Sequence, residues 1–282
     1  MTTYVFPGQG SQIKGMGKDL FLEFPDYVQK ATDMLGYFVD ALCLEDPNNQ
    51  LNQTMYTQPA LYLVNALSYL HKIKISEIQP GYLAGHSLGE YNALFAAGVF
   101  DFETGLKIVQ KRGQLMSSAT GGGMAAVVGL KSEIVQDIIE KNKLTNITIA
   151  NYNSYTQIVL SGLMDSLKAS EQIFMNAGAL LFMPLKVSGA FHSKFMDQAQ
   201  KEFSDYLSQF TFTAPKIPVI ANINAKPYQL ETIQSQLSEQ INHPVKWTQT
   251  IEYLQAQGEK HFEEIGPGKI LTNLISRIQK GQ

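Results

Sequence analysis

Short apolar runs alternate along the chain with longer stretches in which apolar residues recur every three to four positions. Residues 4–6 form one such run, and 81–100 reads as a strand, a tight turn and a helix. Residues 57–72 and 102–119 show helical spacing, with Pro59 at the expected start of the first of these helices. This alternation predicts an α/β protein with a parallel sheet.

The pattern changes at the three consecutive glycines 121–123, which indicate a hinge. From there the chain predicts strands at 124–130, 146–152, 156–162 and 180–187, and helices at 131–142 and 164–177. This β-α-β-β-α-β order is that of a ferredoxin-like unit. Beyond it the pattern predicts helices at 195–209, 231–241, 248–257 and 268–279, and strands at 217–223 and 260–265. We therefore predict a discontinuous catalytic domain at 1–120 and 189–282, with a ferredoxin-like subdomain, 121–188, inserted into it.

Charge and cysteine content narrow the classes of function. The 282 residues carry 22 Lys and Arg against 25 Asp and Glu, a formal charge of −3. Nucleic acids and anionic membranes attract basic surfaces, so neither is expected as the main partner. The single cysteine, Cys43, excludes an internal disulfide framework, a cysteine-based zinc site and an iron–sulfur cluster. No apolar run reaches 18 residues and the N-terminus lacks an export signal, so we expect a cytoplasmic protein. We also expect that the protein has no metal site.

The segment Gly85-His86-Ser87-Leu88-Gly89 matches G-x-S-x-G between an apolar strand and an Ala-rich helix. This context predicts an α/β-hydrolase-like core in which Ser87 is a nucleophile at a sharp strand-to-helix turn. The Leu88 N–H, at the start of the helix, would then face the oxyanion that forms during attack. A buried serine in an ordinary turn is the alternative.

A serine nucleophile needs a base, and His192 is the best placed of the five histidines because it lies where a predicted strand gives way to a helix. The other four lie at a helix end (His71), beside Ser87 (His86), before a proline (His243) and at the start of a predicted buried strand (His261). A structural histidine is the alternative for His192. No acidic residue occupies a persuasive third position, and a carbonyl oxygen could orient the imidazole equally well.

Two further features have an open interpretation. The Gly-rich loop 6–12 follows the first predicted strand and matches no nucleotide-binding template, so it either supplies a second oxyanion N–H or is a plain turn.

Only Arg112 and Arg277 are arginines, against twenty lysines. An arginine in the middle of the helix after the predicted nucleophile suggests bidentate capture of a carboxylate, with an unpartnered surface arginine as the alternative.

Together these segments resemble the malonyl-CoA:acyl-carrier-protein transacylases of fatty-acid and polyketide synthesis over almost the whole chain. The matching motifs, in chain order, are PGQGSQ (7–12), TQPAL (57–61), GHSLGEY (85–91), KRGQLM (111–116), NYNS (151–154), GAFHS (189–193), NHPVKW (242–247) and EIGPGK (264–269). The resemblance implies malonyl transfer from malonyl-CoA to an acyl carrier protein through an acyl-serine intermediate. It implies no cofactor.

The resemblance also implies roles for individual residues. Ser87 would be acylated and His192 would be the general base, oriented by the backbone carbonyl of Gln240. Gln9 and Leu88 would donate the two oxyanion N–H groups. A second set would bind the acyl group, with Arg112 holding its free carboxylate and the others lining the pocket: Met116, Phe191, Asn153 and Asn222. His86 would be structural.

Substrate and partner follow from smaller details of the resemblance. Phe191 before the catalytic histidine is typical of malonyl-specific members, because a smaller residue admits a methyl branch. The GAFHS form is similar to stand-alone acyltransferases of polyketide assembly lines, which slightly favours that pathway over fatty-acid synthesis. An acidic carrier protein would meet lysines near His192, among them Lys186 and Lys194. A monomer is expected.

Three other functions compete with this interpretation. An acyl hydrolase that clears carrier proteins would use the same dyad, but a fixed Arg112 disfavours a plain hydrocarbon acyl group. A non-catalytic carrier-docking module would not need Ser87 and His192 together. An esterase of the general α/β-hydrolase type is disfavoured because no acidic third member is evident.

Overall fold

The computed structural model describes residues 2–76 and 78–282, and within them the chain forms eight strands in two sheets. The strands are β1 (Thr2–Phe6), β2 (Tyr82–Gly85), β3 (Gly122–Val128), β4 (Ile147–Ser154), β5 (Gln157–Leu163), β6 (Leu181–Pro184), β7 (Val219–Ile220) and β8 (His261–Glu264). The α-helices are α1 (Lys18–Glu23), α2 (Pro25–Leu35), α3 (Val39–Leu44), α4 (Thr54–Ile75), α5 (Gly89–Ala96), α6 (Phe102–Ser118), α7 (Ser132–Lys141), α8 (Met164–Asn176), α9 (Asp197–Leu207), α10 (Ile233–Glu239), α11 (Trp247–Ala256) and α12 (Ile270–Gln279). No helix in these two described ranges is long and apolar enough to cross a membrane.

The first sheet is parallel, with the strand order β7-β2-β1-β8. Its two central strands are buried and apolar, as expected where helices cover both faces. The register aligns Phe6 with Gly85, so β1 and β2 end at the same level. The loops that follow them therefore leave the sheet side by side at its carboxyl edge, where α/β proteins place their ligand sites.

The second sheet is antiparallel, with the order β4-β5-β3-β6. Its apolar face packs with α7 and α8 into a core of its own, which includes Val127, Ile149, Leu160 and Phe174. The elements follow one another as β-α-β-β-α-β. The predicted fold class, a parallel α/β core with an additional ferredoxin-like unit, is confirmed.

The structure differs from the sequence-based prediction at particular elements. Helix α4 begins at Thr54, before Pro59, and the Thr57 hydroxyl bonds Leu51 O and Gln53 O in its first turn. Strand β7 has two residues instead of seven, because the Ala221 N–H turns back to bond Lys226 O. The predicted buried strand at His261 is instead partly exposed, since β8 is an edge strand that pairs with β1 alone.

Candidate active site

Ser87 lies on a sharp turn between β2 and α5, with a left-handed φ of 51°. Glycine is required on both sides of it because the backbones touch. A Cβ on Gly85 would overlap the Gly89 carbonyl group, and a Cβ on Gly89 would overlap the carbonyl oxygen of Phe6. The spacing of G-x-S-x-G thus reflects close backbone contact, and the turn exposes the Ser87 hydroxyl at the carboxyl edge of the sheet.

Ser87 and His192, 105 positions apart in sequence, are in direct contact. Ser87 Oγ lies 2.8 Å from His192 Nε2. On the other side of the ring, Nδ1 lies 2.8 Å from Gln240 O and 3.2 Å from His243 O. Both of these oxygens are acceptors, so we infer that Nδ1 carries the proton and that Nε2 is free to accept one from Ser87.

Arg112 brings a buried positive charge to the same hydroxyl. Its side chain is 1% exposed, and its Nη2 donates to Ser87 Oγ at 3.0 Å. Nη2 also donates to Gln240 Oε1 at 2.8 Å, while Nη1 donates to Gln58 Oε1 at 2.7 Å. Burial lowers the pKa of Arg112, but a guanidinium stays charged in proteins. Arg112 is therefore a buried cation whose hydrogen bonds go to neutral groups beside the nucleophile.

These three side chains line an open cavity of about 140 Å³. Beyond Ser87, His192 and Arg112 it is lined by Gln9, Gln58, His86, Met116, Met124, Asn151, Asn153, Val159, Leu185, Val187 and Phe191. Most of its exposed wall area is apolar, and Arg112 contributes a positive charge to it. This arrangement suits a small acyl group that carries a charge at its far end.

Four residues predicted from the resemblance lie on this wall, namely Gln9, Met116, Asn153 and Phe191. Asn222 lies elsewhere, behind the turn. Its Oδ1 accepts from the Ser87 N–H at 2.8 Å, and its Nδ2 donates to Gly85 O at 2.7 Å. The predicted pocket-lining place of Asn222 is therefore corrected: the short strand β7 ends beside the turn and brings a buried amide against the strained Ser87 backbone.

The two backbone N–H groups predicted to bind the oxyanion lie on the loops that meet at this turn. Gly8, just before Gln9, packs so closely against His86 O that a Cβ there would clash with it, and the same Cβ would be in ordinary contact with Leu88 N. Leu88 is the N-cap of α5 and is fully buried. The N–H groups of the next three residues, 89–91, bond the carbonyls of residues 86–88, whereas no partner for the Leu88 N–H is found among the described residues, which leaves it available to an anion. The donor role of Gln9 and Leu88 stays a prediction.

His86 is held away from Ser87 chemistry by its own contacts. Its Nε2 lies 2.8 Å from Asn153 Oδ1, and its ring packs edge-on against Trp247 with centroids 5.5 Å apart. Burial lowers its pKa, so the ring is neutral. These contacts connect the turn to β4 and α11, which suits the structural role predicted for His86.

Two polar residues of this site were missed from the sequence. Gln58 accepts the Arg112 hydrogen bond and Glu90 accepts hydrogen bonds from three groups behind the turn. Both sit inside quoted motifs, TQPAL and GHSLGEY. The available signal was a polar side chain on the buried side of an otherwise apolar helix, where an unpaired polar group would be costly.

The environment of His192 has a consequence for pH dependence. Burial, and next the nearby charge of Arg112, lower its pKa to about 3, while the carbonyls of Gln240 and His243 partly oppose this shift. Because the folded-state pKa is depressed, the imidazole of the free protein stays neutral as the pH falls well below the ordinary histidine range. Ser87 then keeps an unprotonated neighbour in mildly acidic solution.

We expect the reaction of Ser87 with phenylmethanesulfonyl fluoride, a neutral serine reagent, to lose little rate between pH 8 and pH 5. A base with the ordinary histidine pKa of about 6.5 would make the rate fall about 30-fold at pH 5. Intact-mass spectrometry over time gives the rate, with Ser87→Ala as the background and far-UV circular dichroism as the check on folding. A rate that falls with a midpoint near 6.5 would contradict a depressed pKa.

Comparison with known proteins agrees with this architecture. The family model for the acyl transferase domain matches residues 3–280 of this chain. The polyketide biosynthesis malonyl CoA-acyl carrier protein transacylase PksC of Bacillus subtilis is 53% identical over 281 residues, which cover 99% of this chain and 98% of PksC.

Two solved structures are similar over nearly all of the chain. The malonyl CoA-acyl carrier protein transacylase of Burkholderia pseudomallei has a TM-score of 0.97 at 45% identity and covers 100% of this chain and 99% of its own. The transacylase PlMCAT, solved with its type II polyketide carrier protein AntF, has a TM-score of 0.94 at 36% identity, over 99% and 93% of the two chains. With its nucleophile turn, buried arginine and two-sheet architecture, the chain belongs to the acyl transferase domain family.

Proposed function

We propose that the protein transfers a malonyl group from malonyl-CoA to the phosphopantetheine thiol of an acyl carrier protein, through an ester on Ser87. One observation carries the proposal: the Ser87 hydroxyl contacts both a neutral imidazole, His192, and a buried guanidinium, Arg112. A hydroxyl beside a base suits acyl transfer, and a cation beside both suits an acyl group with its own carboxylate. The names of PksC and the Burkholderia protein support this substrate pair.

The first half-reaction loads the protein. His192 Nε2 accepts the Ser87 proton as Oγ attacks the thioester carbon, and we assign the resulting oxyanion to the N–H groups of Gln9 and Leu88. The carbonyl of Gln240 holds the His192 ring in place while the ring is charged. When the tetrahedral intermediate collapses, the C–S bond breaks and His192 returns the proton to the CoA sulfur. The products are malonyl-Ser87 and free CoA.

The second half-reaction runs through the same groups. The carrier thiol gives its proton to His192 as its sulfur attacks the ester carbon, and the proton then passes to Ser87 Oγ as the C–O bond breaks. The reaction requires no cofactor, because both thiols belong to the substrates. Water must be kept from the ester, and the apolar wall of the cavity, including Met116 and Phe191, serves that purpose.

Arg112 is assigned to the malonyl carboxylate. In the free protein its donors are shared among Ser87 Oγ and the amide oxygens of Gln58 and Gln240. A carboxylate forms charge-assisted hydrogen bonds, which are about twice as strong as neutral ones, so it displaces a neutral acceptor. An acetyl group has no carboxylate, so it cannot replace the hydrogen bond between Arg112 and a neutral acceptor. The site therefore favours malonyl over acetyl thioesters, and the bulk of Phe191 in the same wall disfavours a branched acyl group.

The reaction is tested by mixing isolated malonyl-protein with a phosphopantetheinylated acyl carrier protein. We expect the malonyl group to move to the carrier, because the apolar wall keeps water away from the ester and leaves the bound thiol as the main nucleophile. Intact-mass spectrometry of both proteins measures the transfer, and the same carrier without phosphopantetheine is the matched control. Free malonate as the main product would instead favour the acyl hydrolase, and no loading of Ser87 at all would favour a docking module.

Further parts of this proposal concern the setting of the reaction. The similarity to PksC favours a polyketide pathway over fatty-acid synthesis. The exposed Lys194, which with His192 lines a second groove, and the exposed Lys186 are candidate contacts for an acidic carrier protein. We propose a monomer acting in the cytoplasm.

A further inference from the structure

Glu90 is a buried carboxylate directly behind the nucleophile turn. It lies in the first turn of α5 and is completely inaccessible to solvent. Its Oε1 accepts from the Asn222 N–H at 2.9 Å and from the Tyr228 hydroxyl at 2.7 Å. Its Oε2 accepts a short hydrogen bond from Gln240 Nε2. A carboxylate is costly to bury, so a position that retains one with three neutral donors has a task beyond packing.

The amide of Gln240 joins this carboxylate to the catalytic groups. Its Nε2 donates both to Glu90 Oε2 and to Ser87 O, the latter at 2.7 Å, while its Oε1 accepts from Arg112 Nη2 at 2.8 Å. An amide has one donor end and one acceptor end. Because Glu90 and the Ser87 carbonyl are both acceptors, the donor end must face them. The acceptor end is thereby turned toward Arg112.

The charges of Glu90 and Arg112 are separated by this amide. Within the described ranges, no carboxylate forms an ion pair with Arg112. A direct Glu90–Arg112 pair would satisfy the guanidinium and leave little for a substrate. Burial raises the pKa of Glu90 to about 7, and the charge of Arg112 is one of the influences that oppose this rise. With one amide between the two side chains, the guanidinium keeps its strong hydrogen-bonding capacity for an incoming carboxylate.

We propose that Glu90 is a positioning residue for acyl selection: it orients the Gln240 amide so that Arg112 is held in place and still open to the malonyl carboxylate. The inference rests on the proposed malonyl transfer. Glu90 does not line the cavity and touches neither Ser87 Oγ nor His192, so it acts on the acyl group only through Gln240 and Arg112.

The substitution Glu90→Gln tests this role. It replaces an acceptor-only group by an amide that has one donor end and one acceptor end. In one orientation the new NH₂ group faces the NH₂ group of Gln240. In the other orientation the new NH₂ group faces the Asn222 N–H and the Tyr228 hydroxyl. If the Gln240 amide turns to relieve this, its NH₂ end meets the Arg112 donors. An acetyl thioester does not use Arg112, whereas a malonyl thioester does. We therefore expect KM for malonyl-CoA to rise about tenfold with kcat little changed, and acetyl loading to change much less.

Tyr228→Phe is the matched control. It removes one donor from Glu90 Oε1 and leaves the contact between Oε2 and Gln240 in place. We expect it to keep the wild-type ratio of malonyl to acetyl loading, measured as kcat/KM for each CoA ester. Thermal unfolding of all variants separates loss of structure from loss of selection, since a merely structural defect lowers both loading rates together.

The outcomes are distinguishable. Failure of the wild-type protein to load malonyl would overturn the proposed function itself. A folded Glu90→Gln protein with the wild-type ratio would overturn only the role of Glu90. If Glu90→Gln does not fold, Gln240→Leu keeps the backbone carbonyl that orients His192 and removes the bridging amide: loss of malonyl preference there supports the proposal, and an unchanged ratio overturns it.

Discussion

Ser87→Ala is expected to abolish loading by malonyl-CoA, with a fall in rate of about 10⁶-fold by analogy with removal of the nucleophile from a serine protease. Oγ is the atom that bonds His192 Nε2 and Arg112 Nη2, so alanine leaves the base and the cation in place with nothing to acylate. Intact-mass spectrometry after mixing with malonyl-CoA measures the result. The wild-type protein should gain one malonyl group and the variant none.

Ser161→Ala is a suitable control for this experiment. Its hydroxyl is buried in β5 without a hydrogen-bond partner among the described residues, so its removal breaks no bond, and it is not part of the cavity wall. Normal loading of this variant would show that loss of a buried hydroxyl is not itself harmful. A malonyl adduct on Ser87→Ala would mean that another side chain is the nucleophile.

Arg112→Ala is expected to lower the preference for malonyl-CoA over acetyl-CoA by about 10- to 100-fold. Loss of a hydrogen-bonded charge pair costs about 1.5–3 kcal/mol, and each 1.4 kcal/mol corresponds to a factor of ten. Acetyl loading should change less, because an acetyl group makes no bond to the guanidinium. The ratio of kcat/KM for the two CoA esters measures the effect.

Two further variants define what Arg112 contributes. Arg112→Lys keeps the charge and loses the planar fork, so we expect a preference between those of the wild type and Arg112→Ala. Arg277→Ala removes an exposed arginine of α12 that bonds Gln157 and should leave the preference unchanged. An unchanged ratio for Arg112→Ala would show that the malonyl carboxylate binds elsewhere.

The nucleophile turn could be predicted from sequence because its geometry depends on neighbouring residues. Gly85 and Gly89 are needed by local backbone contacts, and their spacing around Ser87 is visible in the chain. The same holds for the alternation of strands and helices from 122 to 184, where each element has its own apolar pattern in the chain.

The pairing of Ser87 with His192 was a weaker inference from residues alone, because a separation of 105 positions carries no local signal. Elimination among five histidines gave a candidate base with a structural histidine as the alternative, and the family resemblance implied the same role. The carbonyl of Gln240 could not have been found without that resemblance, since every residue has a carbonyl. A backbone carbonyl that orients a catalytic group cannot be recognised from the type of residue that carries it.

The polar groups behind the site were the hardest to predict. Glu90 and Asn222 are invisible to a search for catalytic residues because they face the back of the turn, and their partners come from distant segments. Asn222 could be matched to a family position, but its side-chain direction is set by the end of β7 and not by sequence. Helices α1 to α3 were likewise not predicted, since two of them have only six residues.

Residues from both halves of the fold line the cavity, but the reactive groups all come from segments outside the antiparallel sheet. Met124, Asn151, Asn153 and Val159 come from the antiparallel sheet and form part of the wall. The Ser87 turn, Arg112 and the carbonyl that orients His192 all belong to segments outside that sheet, and the His192 N–H is itself bonded to Ile241 O. The antiparallel sheet is still attached to these segments, because Asn153 of β4 bonds His86 and the Tyr152 N–H bonds Val245 O, two residues after His243. A change in the antiparallel sheet is therefore expected to reshape part of the cavity wall, whereas the preference for a carboxylate, which depends on Arg112, is set by segments outside that sheet.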